Sequence, residues 1–205
     1  VSCSLPARAT CRLSVGGAST LPDDPTLWNA VTARFPIDVG CQVEWVTDVP
    51  RSSGLSGSTA LLEATLLCVL MARGETVKLD TIDDRTAFAE LSRDIELREA
   101  GIVCGYQDAT VIAHGGLVSM DFEGKHPIDD GPRARVTPLN AELPFLLVTT
   151  GVERLSGSVH GPMRDRWLSG DREVIDAMET IADLGREGAE QLVAGDWERL
   201  AEGMR

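Results

Sequence analysis

The sequence predicts an α+β fold for this chain of 205 residues. Apolar residues recur at helical spacing in some segments and alternate with polar residues in others, so helices and strands both occur. The two kinds of segment do not alternate regularly, as they would in a doubly wound parallel sheet. The composition, with 43% hydrophobic and 25% charged residues, is typical of a folded domain. A chain of this length buries roughly two-thirds of its unfolded surface, so it needs neither disulfides nor a structural metal to fold.

The N-terminal segment predicts a helix, a strand, a loop and a second helix, in that order. Residues 26–35 place apolar side chains on one stripe of a short amphipathic helix. Residues 41–49 alternate between apolar and polar side chains, which is the period of a half-buried strand. Gly and Ser dominate the following loop, residues 50–59, which leads into residues 60–71. Since that last segment is apolar on nearly every side, it predicts a buried helix.

The central segment predicts two helices, a strand and a loop. Residues 84–100 form a helix with a polar outer face, and residues 107–114 form a short helix. A strand over residues 117–122 follows directly after two glycines. The Gly, Pro and Asp content of residues 123–135 predicts a loop.

The C-terminal segment predicts two strands, a loop and two helices. Strands are expected over residues 135–139 and 145–150. Residues 155–170 are rich in Gly, Ser, Pro and Asp, which predicts a loop or a boundary between two lobes. The periodicity of residues 172–194 is typical of a long amphipathic helix, and a short helix follows over residues 196–204.

The charge balance excludes whole classes of partner. The chain has 19 basic and 32 acidic residues, which gives a net charge of −13, and its only lysines are Lys78 and Lys125. A general nucleic-acid or anionic-membrane binder needs a basic footprint, so neither partner is expected. A small anionic substrate is compatible with this charge, because it needs only a local cluster of Arg or backbone N–H groups. No apolar run reaches the length of about 18 residues that a membrane span needs.

The cysteines and the first residues together predict a cytoplasmic protein with reduced thiols. The first residues, VSCSLP, lack the charged and apolar regions of a signal peptide. The cysteines are odd in number and widely spaced, which is typical of neither a zinc site nor a disulfide framework. They are Cys3, Cys11, Cys41, Cys68 and Cys104.

The segment PRSSGLSGSTA, residues 50–60, predicts a phosphate-binding loop. Its glycines let the backbone come close to a ligand, and the helix that follows offers unpaired N–H groups and a positive dipole end. Ser58 and Thr59 can cap that helix or offer a hydroxyl group to Mg²⁺. A flexible loop with a Ser or Thr cap is the alternative, since neither the Walker A sequence nor GxGxxG is present.

Two segments resemble the GHMP kinases, a superfamily of small-molecule kinases. The run PRSSGLSGSTALLEATLL resembles their second motif, P-x-x-x-G-L-(G/S)-S-S-A, whose backbone wraps the phosphates of ATP. Residues 95–117, IELREAGIVCGYQDATVIAHGGL, are similar to a segment of the family's sugar kinases. The strongest similarity is to the branch that phosphorylates D-glycero-D-manno-heptose 7-phosphate and fucose.

The resemblance implies a set of nucleotide, metal and catalytic residues. Asp108 is the expected base for the acceptor hydroxyl, with Arg12, or else Arg8, as a cationic partner. Glu96 and Ser58 are expected to hold Mg²⁺, and Glu99 is a second choice. Without the resemblance, Asp108 would be a helix cap and Glu96 a solvated helix residue. The expected ATP-binding residues are Pro50, Ser53, Gly54, Leu55, Ser56, Gly57, Ser58 and Thr59.

Weaker similarities imply where the sugar binds. Residues 12–22, RLSVGGASTLP, resemble the family's N-terminal motif R-I-S-F-x-G-G-G-T-D-L-P. The acid of that motif is missing, so either Asp23 or Asp24 would substitute for it or the sugar contact is lost. Residues 147–156, LVTTGVERLS, resemble Y-T-G-x-x-R-x-S, although a strand ending in a Gly turn explains them equally well. The expected sugar-site residues are Gly17, Thr20, Asp23, Gly105, Gln107, Thr150, Gly151 and Arg154.

The resemblance also implies how the chain is organised. Residues 1–140 would form the ATP-binding lobe, with the fold of ribosomal protein S5 domain 2, and residues 141–205 the beginning of a ferredoxin-like lobe. The family's third, Gly-rich motif has no counterpart here, so we expect a shortened, truncated or degenerate relative.

The sequence therefore predicts a kinase that uses ATP and Mg²⁺ to phosphorylate a hydroxyl group on a sugar or sugar phosphate. The alternative is a relative that binds nucleotide, sugar or a partner protein without turnover. The sugar, the hydroxyl group that is phosphorylated and the oligomeric state are not predicted.

Overall fold

A computed structural model describes residues 1–50, 52–126, 131–148 and 157–205. Helices and strands both occur, so the predicted α+β class is confirmed. The described strands are β1 (Ser2–Cys3), β2 (Ala9–Val15), β3 (Cys41–Thr47), β4 (Leu117–Asp121) and β5 (Arg135–Pro138). The described helices are α1 (Thr26–Arg34), α2 (Gly57–Ala72), α3 (Ile82–Arg98), α4 (Gln107–His114), α5 (Gly157–Leu168), α6 (Arg172–Ala194) and α7 (Trp197–Gly203).

Strands β2 and β3 form an antiparallel pair, in register from Ala9 opposite Thr47 to Val15 opposite Cys41. The alternation along β3 buries Cys41 and Val43 and exposes the polar residues between and after them. The strand predicted over residues 41–49 is therefore confirmed. Strand β2 has no counterpart among the predicted elements, because its sequence was interpreted only through its resemblance to a sugar-site motif.

A second, three-stranded sheet has the order β1-β4-β5. Both of its strand pairs are antiparallel. Val118 on β4 is fully buried and packs with Ala134 and Val136 in a small apolar cluster. The predicted strands over residues 117–122 and 135–139 are confirmed as β4 and β5.

Helix α2 lies at the centre of the main apolar core. Leu62, Leu66 and Val69 on α2 are fully buried. Helices α1, α3 and α4 and strand β2 all pack against it. Its burial from several sides explains why its sequence is apolar all round rather than amphipathic. The buried helix predicted from this composition is confirmed.

Helix α3 begins with a capping box in which Thr81 and Asp84 exchange hydrogen bonds between side chain and backbone. This cap starts the helix at Ile82, two residues before the predicted start at residue 84. The predicted helices over residues 26–35 and 107–114 are confirmed as α1 and α4.

The loop predicted over residues 155–170 is wrong, because α5 covers Gly157–Leu168 and contains Pro162, whereas the alternative of a lobe boundary there stays a prediction. Gly, Ser and Pro are poor helix formers, but helix propensity is a weak preference that packing overrides. Here α5 packs against α6, and the long helix predicted over residues 172–194 is confirmed as α6. The short helix predicted after it is confirmed as α7.

The strand predicted over residues 145–150 is also wrong where the structure describes it. Residues 145–148 form no strand, and their four apolar side chains are exposed. An apolar segment becomes a strand only where a neighbouring strand supplies hydrogen-bond partners for its backbone. None of the described strands pairs with residues 145–148. Among the described helices, none is both long and apolar enough to cross a membrane.

Candidate active site

The loop before α2 has the backbone geometry of an anion-binding turn. Ser52, Gly54 and Ser56 all have positive φ angles, of 51°, 73° and 58°. The Ser53 hydroxyl donates to the Pro50 carbonyl oxygen at 2.7 Å, which closes the loop on itself. Ser56 occupies the N-cap position of α2, and its side chain makes no cap hydrogen bond. The N–H groups of the first turn are therefore not consumed by a Ser56 cap and suit a phosphate.

Gly57, the first residue of α2, packs against the end of the β3 segment. A Cβ atom at Gly57 would approach Val49 Cγ1 to 3.2 Å, which is closer than an ordinary contact. Substitution at Gly57 would therefore disturb packing as well as the loop. Gly54 has open space around it but a φ angle of 73°, so glycine is favoured there by backbone conformation alone.

Thr59 and Ser58 point in different directions from the first turn of α2. Thr59 is buried, and its hydroxyl donates to both carboxylate oxygens of Glu96, at 3.0 and 3.3 Å. Ser58 is exposed, because successive helix residues are rotated by about 100°. The structure thus joins the loop to the acid of α3 through Thr59, whereas Ser58 as a metal ligand stays a prediction.

Glu96 is almost fully enclosed, with 3% of its surface exposed, so it is not a solvated helix residue. Burial raises its pKa above the ordinary value, and the nearby charge of Asp108 raises it further. Hydrogen bonds from Thr59 and Cys104, and the charge of Arg93, act in the opposite direction. The acids of α3 and α4 are therefore close enough to influence each other electrostatically.

Asp108 lies in the first turn of α4 and is exposed. The N-cap of α4 is Tyr106, and this cap has no side-chain hydrogen bond, so Asp108 is not the capping residue. A negative charge in the first turn still interacts favourably with the helix dipole. Asp108 thus combines access to solvent with proximity to the charge of Glu96.

Glu63 is a buried acid that the sequence analysis missed. It lies one helical turn after Thr59 on α2, and 4% of its surface is exposed. Burial raises its pKa well above the ordinary value, and the charge of Glu96 adds to that shift. Ser92 lies beside the Glu63 carboxyl and acts to lower its pKa, although within the described ranges neither Glu63 Oε1 nor Ser92 Oγ has a partner at full hydrogen-bond geometry. The signal was a single charged residue inside the apolar run of residues 60–71.

A second missed feature lies directly before Asp108. The guanidinium of Arg93 lies 4.2 Å from the centre of the Tyr106 ring, and Lys125 Nζ lies 4.7 Å from the same centre. Lys125 Nζ also pairs with Glu90 at 2.6 Å, and its side chain is 5% exposed. Cations over an aromatic ring are attracted by its negative face, so this cluster fixes the turn that leads into α4. The sequence offers no local signal for it, since its members come from three separate segments.

The predicted cationic partners do not contact the Thr59–Glu96 pair. Arg12 is exposed on β2, and its guanidinium pairs with Glu44 on β3 at 3.1 Å. Arg8 is exposed as well. Glu99, the second choice for the metal, forms an ion pair with Arg34 of α1. The catalytic role of Arg12 therefore stays a prediction without a supporting contact.

The predicted sugar-site residues at the N-terminal loop lie beside the start of β3. Thr20 donates its N–H to the Cys41 carbonyl at 2.9 Å and accepts from the N–H of Val43 at 2.9 Å. The backbones of Gly17 and Gly40 lie very close together: a Cβ atom on residue 40 would fall 1.9 Å from the Gly17 carbonyl oxygen. This close approach requires glycine at position 40.

The other predicted sugar-site residues are scattered or lie outside the described residues. Asp23 is exposed, whereas Asp24 accepts hydrogen bonds from Thr26 at the start of α1. Gly105 and Gln107 are exposed, and Gln107 Nε2 donates to Ser2 Oγ at 2.6 Å. The remaining three lie outside the described residues: Thr150, Gly151 and Arg154.

The donors around Glu96 suit Mg²⁺ better than a transition metal. Mg²⁺ prefers oxygen ligands and commonly binds one or two carboxylates together with the phosphates of its substrate. Glu96 carries one carboxylate, and Thr59 places a hydroxyl group against it from the first turn of α2, where Ser58 is the neighbouring exposed hydroxyl. In the described part of the chain, no three His, Cys, Asp or Glu side chains cluster as a metal site that the protein alone would complete. The residues thus fit a metal that arrives with a nucleotide.

Comparison with known proteins identifies the family. Residues 26–116 match the model of the GHMP kinases N terminal domain. Glucuronokinase 1 of Arabidopsis thaliana is 35% identical over 160 residues, which cover 76% of this chain and 42% of that protein. Probable glucuronokinase 2 of the same plant is 33% identical over 169 residues, 80% of this chain and 44% of that protein. The chain therefore spans less than half the length of these relatives.

Solved structures share the fold at low sequence identity. A D-glycero-D-manno-heptose 1-phosphate kinase from Bacteriodes thetaiotaomicron has a TM-score of 0.62 and 16% identity, over 96% of this chain and 64% of that one. The mevalonate kinase of L. major, solved with R-mevalonate, has a TM-score of 0.59 and 15% identity, over 96% of this chain and 63% of that one. The fold, the relatives and the domain match together show that residues 26–116 of this chain are an N-terminal domain of the GHMP kinase family.

Proposed function

We propose that this chain takes part in the ATP- and Mg²⁺-dependent phosphorylation of a hydroxyl group on a sugar. The observation that carries the proposal is the hydrogen bond from Thr59 to Glu96. This bond joins the end of the predicted phosphate-binding loop, residues 50–59, to a buried acid, Glu96. The charge of Asp108 raises the pKa of that acid. The two curated relatives are named glucuronokinases, so a uronic acid such as glucuronate is the first acceptor to test.

The loop of residues 50–59 would bind the phosphates of ATP. Its positive φ angles and its uncapped helix start support backbone N–H groups as the main phosphate ligands. Phosphoryl transfer depends mostly on positioning and charge neutralisation, which rigid backbone donors provide without reorganisation. The residues assigned to this role are Pro50, Ser53, Gly54, Leu55, Ser56, Gly57, Ser58 and Thr59.

Glu96 and Ser58 would hold Mg²⁺, with Thr59 orienting the Glu96 carboxylate. When bound, the metal ion neutralises charge on the phosphates of the nucleotide. The chain's own contribution is to keep the Glu96 carboxylate in a fixed orientation away from bulk water.

Asp108 would accept the proton of the acceptor hydroxyl group. It is exposed in the first turn of α4, where a substrate can reach it. A positioned base of this kind contributes about 10²–10⁴-fold to the rate. The acceptor would then lie among Gly17, Thr20, Asp23, Gly105 and Gln107, together with Thr150, Gly151 and Arg154.

We also propose residues 1–140 as the ATP-binding lobe, residues 141–205 as the start of a second lobe and the cytoplasm as the location.

An assay of ADP release tests the kinase activity. The chain is mixed with ATP, Mg²⁺ and a panel of uronic acids, neutral sugars and sugar phosphates. Calorimetric titration with Mg–ATP tests binding separately. Binding without ADP release on any acceptor would favour a relative that binds nucleotide without turnover. No binding of Mg–ATP at all would contradict both the proposed kinase activity and the alternative of a relative that binds nucleotide without turnover.

A further inference from the structure

Two of the five cysteines lie side by side, one on β2 and one on α2. The Cys68 thiol donates to the Cys11 carbonyl oxygen, with a sulfur-to-oxygen distance of 3.3 Å. Helix α2 packs directly against β2, so this contact lies within an interface of two rigid elements. The two residues are 57 positions apart in the sequence. No local motif predicts such a pair.

The Cys11 side chain also lies in a small polar cluster. Thr65 on α2 and Trp45 on β3 lie beside the Cys11 thiol, and both act to lower its pKa. Trp45 Nε1 in turn donates to Thr65 Oγ1 at 3.0 Å. Both cysteines are half-buried rather than sealed in the core, so a small oxidant can approach them.

The two thiols differ in acidity because they interact with each other. When Cys68 loses its proton, the Cys11 thiol can donate a hydrogen bond to the Cys68 sulfur, and this side-chain interaction lowers the pKa of Cys68 to about 7 against the opposing effect of burial. The same hydrogen bond is the largest cause that raises the pKa of Cys11, and burial raises it further. Near neutral pH a fraction of the molecules therefore carries a Cys68 thiolate beside a protonated Cys11 thiol. Thiolate character and a neighbouring second thiol are features of cysteines that respond to oxidation.

The other cysteines lack this combination. Burial raises the pKa of Cys41, and it raises the pKa of Cys104 to about 12. The Cys104 thiol interacts with the Glu96 carboxylate rather than with another thiol. Cys3 is exposed and donates to the carbonyl of its neighbour Ser4. The β2–α2 pair is thus chemically distinct from these three.

We propose that Cys11 and Cys68 are a peroxide-responsive modification site that forms a reversible disulfide between β2 and α2. The Cys68 sulfur attacks hydrogen peroxide, the O–O bond breaks, a sulfenic acid forms and one water leaves. The Cys11 sulfur then attacks the sulfenic sulfur, loses its proton and expels a second water. In balance, two thiols and one peroxide become one disulfide and two waters.

The disulfide would constrain the chain between two elements of the main core. Closing a loop of 57 residues removes conformational entropy from the unfolded chain, which stabilises the folded state. The melting temperature should therefore rise on oxidation and return to its original value when dithiothreitol reduces the bond. This inference depends on the geometry and acidity of the two cysteines and is independent of the proposed kinase activity.

Tryptic mapping of the oxidised chain tests the proposal directly. Cleavage after Lys and Arg places each cysteine on a different peptide, with Cys11 on residues 9–12 and Cys68 on residues 52–73. After treatment with hydrogen peroxide and blocking of free thiols, a disulfide-linked pair of these two peptides is expected. Titration of the unfolded protein should find a fall from five free thiols to three.

Three variants provide the controls. Cys11→Ser and Cys68→Ser should each abolish the linked peptide and the dithiothreitol-sensitive rise in melting temperature. Cys104→Ser should keep both, since it removes a thiol that is also half-buried but lies outside the pair. Linkage between any other peptides would overturn the proposal. So would oxidation of wild-type Cys68 to sulfinic acid while Cys11 stays free, and this outcome needs no variant to fold.

Discussion

The Thr59 hydroxyl donates to both carboxylate oxygens of Glu96, across 37 residues of sequence and between two packed helices. The contact joins the first turn of α2, where the predicted phosphate-binding loop ends, to Glu96, which the resemblance implies is a ligand of Mg²⁺. It is buried, so neither group can exchange its partner for bulk water. The variants below test what this contact and its neighbours contribute.

Thr59→Val keeps the shape of the side chain but removes the hydroxyl. We expect the free energy of unfolding to fall by about 1–3 kcal/mol, since the variant leaves buried Glu96 without this hydrogen-bond donor. Mg–ATP affinity should fall as well, because the Glu96 carboxylate loses its orientation. Urea denaturation and calorimetric titration measure the two effects. The matched control is Ser58→Ala, one residue earlier and exposed. A stability loss equal to that of Thr59→Val would contradict this assignment.

Asp108→Asn should retain Mg–ATP binding but lose phosphoryl transfer, by about 10²–10⁴-fold. The change removes the proposed proton acceptor at nearly constant shape. Glu96→Gln should fail differently, by weakening nucleotide affinity and its dependence on Mg²⁺. ADP release and titration with Mg–ATP, measured on both variants, separate the two effects. Asp176→Asn on the exposed face of α6 should change neither. Equal losses of binding in Asp108→Asn and Glu96→Gln would argue against separate roles.

Glu63→Gln should stabilise the protein at neutral and alkaline pH. Burial raises the folded-state pKa of Glu63 above its ordinary value of 4.5. The folded state therefore holds a proton that the unfolded state has already released. Its stabilising effect is complete below pH 4.5 and is lost as the pH rises through the raised folded-state pKa.

Melting temperatures measured from acidic to mildly alkaline pH check this expectation. Wild-type stability should decline with rising pH more steeply than that of Glu63→Gln, with the remaining slope due partly to Glu96. Glu179→Gln on the exposed surface of α6 is the matched control and should follow the wild type. Parallel curves for wild type and Glu63→Gln would show that Glu63 titrates as an ordinary carboxylate.

Gly54→Ala should lower the free energy of unfolding by about 1–2 kcal/mol. A residue with a Cβ atom is strained in the left-handed region of backbone conformation that Gly54 adopts. No atom crowds the site, so the cost comes from the backbone alone. The strain should distort the loop and lower nucleotide affinity. Gly185→Ala in α6 is the control, since it also has open space but no positive φ angle. There alanine should stabilise the helix by about 0.5–1 kcal/mol. A Gly54→Ala protein as stable as the wild type would show that the loop does not need this conformation.

Much of the helical framework could be predicted because helices depend on interactions close in sequence. The predicted buried helix after the loop agrees with α2, and residues 107–114 agree with α4 at both ends. The segments that failed depend on distant partners. Residues 145–148 have a strand-like composition but no described strand beside them, and α5 forms against α6 in spite of Pro162.

Sequence patterns were sufficient for the α+β class, for the loop-to-helix motif and for the membership of residues 26–116 in the GHMP kinase family. Tertiary structure alone decided that Thr59 rather than Ser58 contacts Glu96, and that Glu63 is buried beside it. It also brought Cys11 next to Cys68. The physical reason is that a motif fixes which residues occur together along the chain, whereas the direction of a side chain depends on how one helix is rotated against the next. That rotation is set by packing between elements distant in sequence.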